Sequence, residues 1–142
     1  MILEKDEEIE IGKLGKFSFK KGYYVYNGSA LGGLGRVKYH LKCNKIKRWH
    51  IDYLLEKAKI IKIIMAEVKE NNEHKLSMKM SNLINAQNPV IGFGSSDCKK
   101  KCESHLLYFN MCHNLEKIYE DLNLKYLVFT ESDFKNIQSL KI

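Results

Sequence analysis

Polar and apolar residues alternate strictly near the start of the chain, first in Glu8-Ile9-Glu10-Ile11 and again, after Gly15, in Lys16-Phe17-Ser18-Phe19. A period of two marks strands with one buried face. Ile2 and Leu3 begin a shorter strand, and Lys5-Asp6-Glu7 offers a turn out of it. Lys20-Lys21-Gly22 leads into Tyr23 to Tyr26, whose aromatic and β-branched residues suit a pleated, half-buried surface. Residues 1–27 therefore predict an antiparallel β-meander. The period then changes: Leu34, Val37 and Leu41 fall at helical spacing and predict a helix from Leu34 to Leu41.

Further along, Trp49 to Glu56 reads as a short helix with Ile51, Leu54 and Leu55 on its apolar face. Lys59 to Val68 is a near-continuous branched run, which predicts a buried central strand ended by Asn71-Asn72. Leu76, Met80, Leu83 and Ile84 predict a helix from about Glu73 to Ile84. Asn85 to Asp97 is a loop around Pro89, the only proline. Ser104 to Phe109 reads as a strand pairing with the Ile60 strand. A helix over Asn114 to Leu122 and a strand over Tyr126 to Phe129 follow, and Thr130 with Asp133 predicts the cap of a last helix. The pattern defines an α+β fold, a small and largely antiparallel sheet flanked by helices, in one domain over residues 1–142.

Charge adds a partner class. Lys and Arg number 24 against 17 Asp and Glu, a net charge of +7, which suits a polyanion such as nucleic acid. Much of that excess also reads simply as a solvated surface. The N-terminus is acidic and has no apolar stretch, so it is not a signal peptide. No apolar run spans a bilayer, so the expectation is a cytoplasmic protein without a membrane partner. Four cysteines in such a chain read as free thiols or ligands rather than disulfides.

The chemistry concentrates between Gly22 and His40. Tyr26 ends a strand, Gly28, Ser29, Gly32, Gly33 and Gly35 form an open loop, and Arg36 and His40 stand four apart on one helix face. A planar, permanently charged guanidinium beside a glycine-rich loop suits a phosphodiester. The stretch Tyr26-Asn27-Gly28-Ser29, followed by a leucine, an arginine and a histidine, resembles the second half of the GIY-YIG nuclease signature. Tyr-Val-Tyr-Asn-Gly-Ser-Ala-Leu-Gly is most similar to its Uri-type branch, as are Trp49-His50-Ile51-Asp52-Tyr53-Leu54-Leu55 and Gly92-Phe93-Gly94-Ser95-Ser96-Asp97-Cys98 with Ser104-His105-Leu106. The resemblance covers about residues 9–109, and residues 110–142 form a helix-strand-helix extension.

The resemblance implies metal-dependent cleavage of DNA, with Tyr26, Arg36 and His40 as catalytic residues and Mg or Mn as cofactor. It also marks His50, Asp52, Asp97, Cys98, Cys102 and His105 as a structural motif. Two positions depart from the family pattern. No tyrosine precedes Phe17, where the family has a first-strand tyrosine, so either the true start lies upstream or the group is lost. The helix interior near Met78 offers Ser77, Lys79, Ser81 and Asn82 in place of the metal-binding glutamate, which leaves Glu73 as a weak metal candidate. The alternative function is therefore a nucleic-acid-binding module with cleavage lost.

Other candidates carry two readings each. Lys42, Lys45, Lys47 and Arg48 form either a solvated turn or, with Gly28 and Ser29, a track for a phosphate backbone. Arg36 is either a phosphate ligand or half of a surface ion pair. His50 is read as a buried hydrogen-bonding group. Cys98, Cys102 and His105 have zinc-like content, which would make a zinc-stabilised interaction domain, but the packing reading is preferred and zinc is not expected.

Overall fold

The computed structural model describes residues 1–30, 33–95 and 103–140, with the backbone alone over 70–74. Its elements run β1 (Ile2–Leu3), β2 (Glu7–Glu10), β3 (Lys16–Phe19), β4 (Gly22–Tyr26), α1 (Gly35–His40), α2 (His50–Leu54), β5 (Lys62–Ala66), α3 (Glu70–Ser81), β6 (Leu106–Phe109), α4 (Glu116–Asp121), β7 (Tyr126–Thr130) and α5 (Glu131–Ser139). The fold is α+β with antiparallel pairing, as the pattern predicts. Its strands divide into β1-β4-β6, the hairpin β2-β3 and the pair β5-β7.

The opening strands do not form one meander. β2 and β3 pair with each other, whereas β1 crosses to the edge of β4, with Ile2 opposite Tyr23 and Leu3 opposite Gly22. Strict alternation fixes which face of a strand is buried but not which strand it meets. The partner expected for Ser104 to Phe109 also changes. β6 pairs with β4, Tyr24 against Tyr108 and Tyr26 against Leu106, and β5 pairs with β7. β6 is fully buried although it lies at the edge of its sheet beside the central β4, whereas β5 is only half-buried. At Gly22, φ is +148° and an added Cβ would lie 2.7 Å from the Tyr108 ring and 2.9 Å from the Phe109 carbonyl oxygen, so only glycine lets the ribbons close here.

Asn71 and Asn72 start α3 rather than ending β5. The first turn of a helix has backbone N–H groups without helical partners, and asparagine is tolerated there. Leu76 and Met80 are buried as predicted, but the helix ends before Ile84, which leaves the helical register and is exposed. The capping box at α5 forms: Asp133 accepts from the Thr130 backbone N–H at 2.8 Å and the Thr130 hydroxyl at 3.2 Å.

The β4-β6 ribbon separates two apolar clusters. Tyr24, Leu106 and Tyr108 point into one, with Leu3, Ile9, Ile11, Phe19, Ile51, Leu54, Val90 and Phe93. Leu107 and Phe109 point into the other, with Leu76, Met80, Ile118 and Tyr119. The alternation of β6 serves both at once, which is why Leu-Leu-Tyr-Phe is apolar without a break.

Candidate active site

Tyr26 is the last residue of β4 and lies on the Tyr24 side of the ribbon. Its ring is flanked edge-on by Phe93 at 6.1 Å and His40 at 6.4 Å between centroids. Gly94 keeps this slot open: at φ +66°, its Cβ would lie 2.8 Å from the Tyr26 ring. The Gly94 N–H donates to His50 Nδ1 at 2.9 Å, and His50 packs against Phe93 at 5.6 Å. His50 thus fastens the loop behind Tyr26 by a hydrogen bond, but it is half-buried rather than buried as its sequence reading has it. His105 contributes through its backbone, donating to the Phe93 carbonyl at 2.9 Å and accepting from the Asn27 N–H at 3.0 Å. Burial pushes the Tyr26 phenol above its ordinary pKa and the nearby Arg36 opposes this, so the phenol is protonated at neutral pH.

α1 brings Arg36 and His40 to the same side, one turn apart. The Arg36 guanidinium stacks over the Trp49 indole at 5.2 Å, and its Nη1 donates to the Ser29 carbonyl. Among the described residues it has no carboxylate partner within ion-pair distance, so the surface ion-pair reading does not describe it. Trp49 also meets His40 at 5.3 Å and Tyr39 at 5.3 Å, both at steep angles. Tyr26, Arg36 and His40 therefore share one face, with Ser29 beside it, while Gly28 is exposed at the end of β4.

Beneath this face lies Asp52, the only buried charged residue in the described core, with 1% of its surface exposed. It is the third residue of α2. Its Oδ2 accepts from the Arg48 and Trp49 backbone N–H groups at 2.9 and 3.0 Å. Its Oδ1 lies 3.2 Å from His40 Nδ1 and 3.2 Å from the Lys45 ammonium. Burial alone would push this carboxyl up, but the two N–H groups and Lys45 outweigh it and hold the pKa below the ordinary range. His40 shifts down because burial disfavours the imidazolium, with Lys45 and Arg36 reinforcing the effect and Asp52 opposing it. The imidazole is accordingly neutral at pH 7.

The basic loop divides in two. Lys45 turns inward, its side chain 6% exposed, and its ammonium also donates to the His40 carbonyl at 2.9 Å. Lys47 pairs with Glu56 at 2.8 Å. Lys42 and Arg48 stay at the surface over the Tyr39 ring, at 5.8 and 5.0 Å. Asp97, Cys98 and Cys102 lie outside the described residues. Glu73 belongs to α3, whose Leu76 and Met80 pack on the ribbon face opposite Tyr26. Sequence reasoning missed the part Lys45 and Trp49 play, and it placed Asp52 only within a structural motif.

The arrangement defines an α+β domain with a Tyr-Arg-His face over a buried carboxylate. The chain belongs to the family described as "Domain of unknown function DUF123", whose model matches residues 1–126 and so includes every element of this face. No curated protein and no solved structure matches it. Among the described residues, no helix is long and apolar enough to cross a membrane.

Proposed function

We propose that this domain cleaves nucleic-acid phosphodiesters, DNA in the first instance, as the GIY-YIG resemblance implies. The observation that carries the reading is the convergence of Tyr26, Arg36 and His40, with Arg36 free of any carboxylate among the described residues. Arg36 suits the phosphate: its planar fork binds two oxygens and stabilises charge that grows in the transition state. Neutral His40 suits proton acceptance, and the protonated Tyr26 phenol suits donation to a phosphate oxygen. The surface cations Lys42 and Arg48 and the net charge of +7 favour a polyanionic substrate.

The described residues do not fit the divalent cation that the resemblance implies. No three His, Cys, Asp or Glu side chains group among them, and both Asp52 oxygens are engaged within the protein. The same observation favours a second reading, a binding module without turnover.

A single-turnover assay on branched, nicked and linear DNA, run with magnesium, with manganese and with chelator, separates the two. Cleavage is expected, and Arg36→Ala should slow it about a hundredfold or more while affinity changes far less. Arg36→Lys should rescue only in part, because an ammonium lacks the bidentate fork. Wild-type cleavage that ignores Arg36 overturns the assignment of the face. Salt-sensitive binding without cleavage under every condition leaves the binding module.

A further inference from the structure

We infer that Asp52 is a positioning residue that fixes His40 as its Nδ1–H tautomer, making His40 Nε2 the proton acceptor of the proposed cleavage, with Lys45 holding Asp52 as a carboxylate. The inference deepens the reading of the Tyr26–Arg36–His40 face and rests on it for the reaction. It rests on geometry alone for the tautomer.

An ionised carboxylate can only accept hydrogen bonds. Asp52 Oδ2 is taken by the Arg48 and Trp49 N–H groups, so Oδ1 is the atom left for His40 and Lys45, each at 3.2 Å. His40 must therefore carry its proton on Nδ1, and the lone pair of the neutral ring falls on Nε2. The carboxylate cannot swing away, because its Oδ2 is pinned by the two backbone N–H groups just before α2. Lys45 is equally fixed through the His40 carbonyl. Trp49 and Tyr26 border the imidazole edge-on and leave it few orientations.

In the reaction, the oxygen of a water molecule bonds to phosphorus as its proton passes to His40 Nε2. The phosphorus–oxygen bond on the far side breaks, and the departing oxygen takes a proton from solvent. His40 then returns its proton to solvent, so the balance closes without an added reactant. The imidazolium formed in between lies against the Asp52 carboxylate, which favours it. Burial, reinforced by Lys45 and Arg36, the cations facing the ring, keeps it from being protonated beforehand. Tyr26 from β4 and Tyr39 from α1 are the remaining titratable neighbours, and both face the ring by their edges.

Nitrogen-15 spectra of the histidine rings in the whole 142-residue chain test the first half directly. Wild-type His40 should show a protonated Nδ1 and a bare Nε2 at pH 7. In Asp52→Asn the amide oxygen stays with the two backbone N–H groups and the amide NH2 turns toward His40, so the tautomer should invert. Cleavage should then fall at least a hundredfold, the low end for losing a general base. Lys45→Met keeps the carboxylate and removes a cation, so the His40 titration and the acid limb of the rate profile should move to higher pH together. This second variant keeps the test open if Asp52→Asn fails to fold.

A wild-type His40 protonated on Nε2 overturns the inference, as does a rate profile that stays put while the Lys45→Met titration moves. Cleavage with the wrong tautomer sinks Asp52's role alone. The expected tautomer in a chain that never cleaves overturns the catalytic use together with the proposed function.

Discussion

The two faces of the β4-β6 ribbon solve burial in opposite ways. Behind Leu107 and Phe109 the core is built from Leu76, Met80, Ile118 and Tyr119, side chains that need only fit one another. Behind Tyr24 and Leu106 the protein buries a carboxylate, Asp52, among residues of equal apolarity. A buried charge is costly unless paired and hydrogen-bonded, so the second face must supply two backbone donors, a lysine and a histidine to hold it. An apolar side chain at the same place would fold as well without that apparatus. The first face shows the same ribbon packed without a fully buried charge among the described residues.

The largest expected effect follows from breaking the charged face. Asp52→Ala strands the Lys45 ammonium and two N–H groups, and about 3–5 kcal/mol should be lost, read by chemical denaturation. The pH dependence of stability should weaken in the same variant. In the wild type, the Asp52 pKa is lower folded than unfolded, so its contribution is present above the unfolded value and lost as pH falls through the folded one. His40 acts in the same direction: its lowered folded pKa means the unfolded chain binds its proton first, and stability drops on acidification below the ordinary histidine range.

On the apolar face, Leu107→Ala should cost about 2–5 kcal/mol through the cavity it leaves, yet the His40 ring signals at neutral pH should not move. A shifted His40 spectrum would mean that the two faces are coupled and the contrast is false. Smallest of all, the exposed Lys59–Glu131 pair at 3.0 Å joins β5's approach to α5. Glu131→Gln should change stability by less than about 1 kcal/mol, and added salt should erase the difference.

What was legible in the sequence is what is local. Tyr23 to Tyr26 reads as a strand from its own side chains, the α1 face from spacings of three and four, and the Thr130 cap from one residue pair. Strand partners were not legible. Two apolar runs, Ile60 to Val68 and Leu106 to Phe109, both promise burial, and nothing within either run says which pairs with β4. The candidate site divides the same way. Arg36 and His40 stand on one helix, so their meeting is geometric necessity. The His40–Asp52 contact depends on the path of the loop carrying Lys45, which has no periodicity to read. Helical spacing on its own correctly says that His50 and Asp52 diverge, but not that Asp52 reaches back to α1.

The pairing of Tyr26 with Leu106 has a consequence for the order in which the chain folds. Tyr26, Arg36, His40, Trp49 and Asp52 are near neighbours in sequence, so their mutual contacts close through short loops. The strand that Tyr26 ends cannot complete its ladder until a segment about eighty residues further on arrives, and closing long loops costs entropy that no local contact repays. The loop behind Tyr26 waits for the same event, because the Phe93 carbonyl is held by the His105 N–H. A nascent chain could thus assemble the α1–α2 corner early, with Trp49, the only tryptophan, already shielded by Arg36 and His40. The slot for Tyr26 would close last, so indole fluorescence should recover ahead of the ring signals of Tyr26 during refolding.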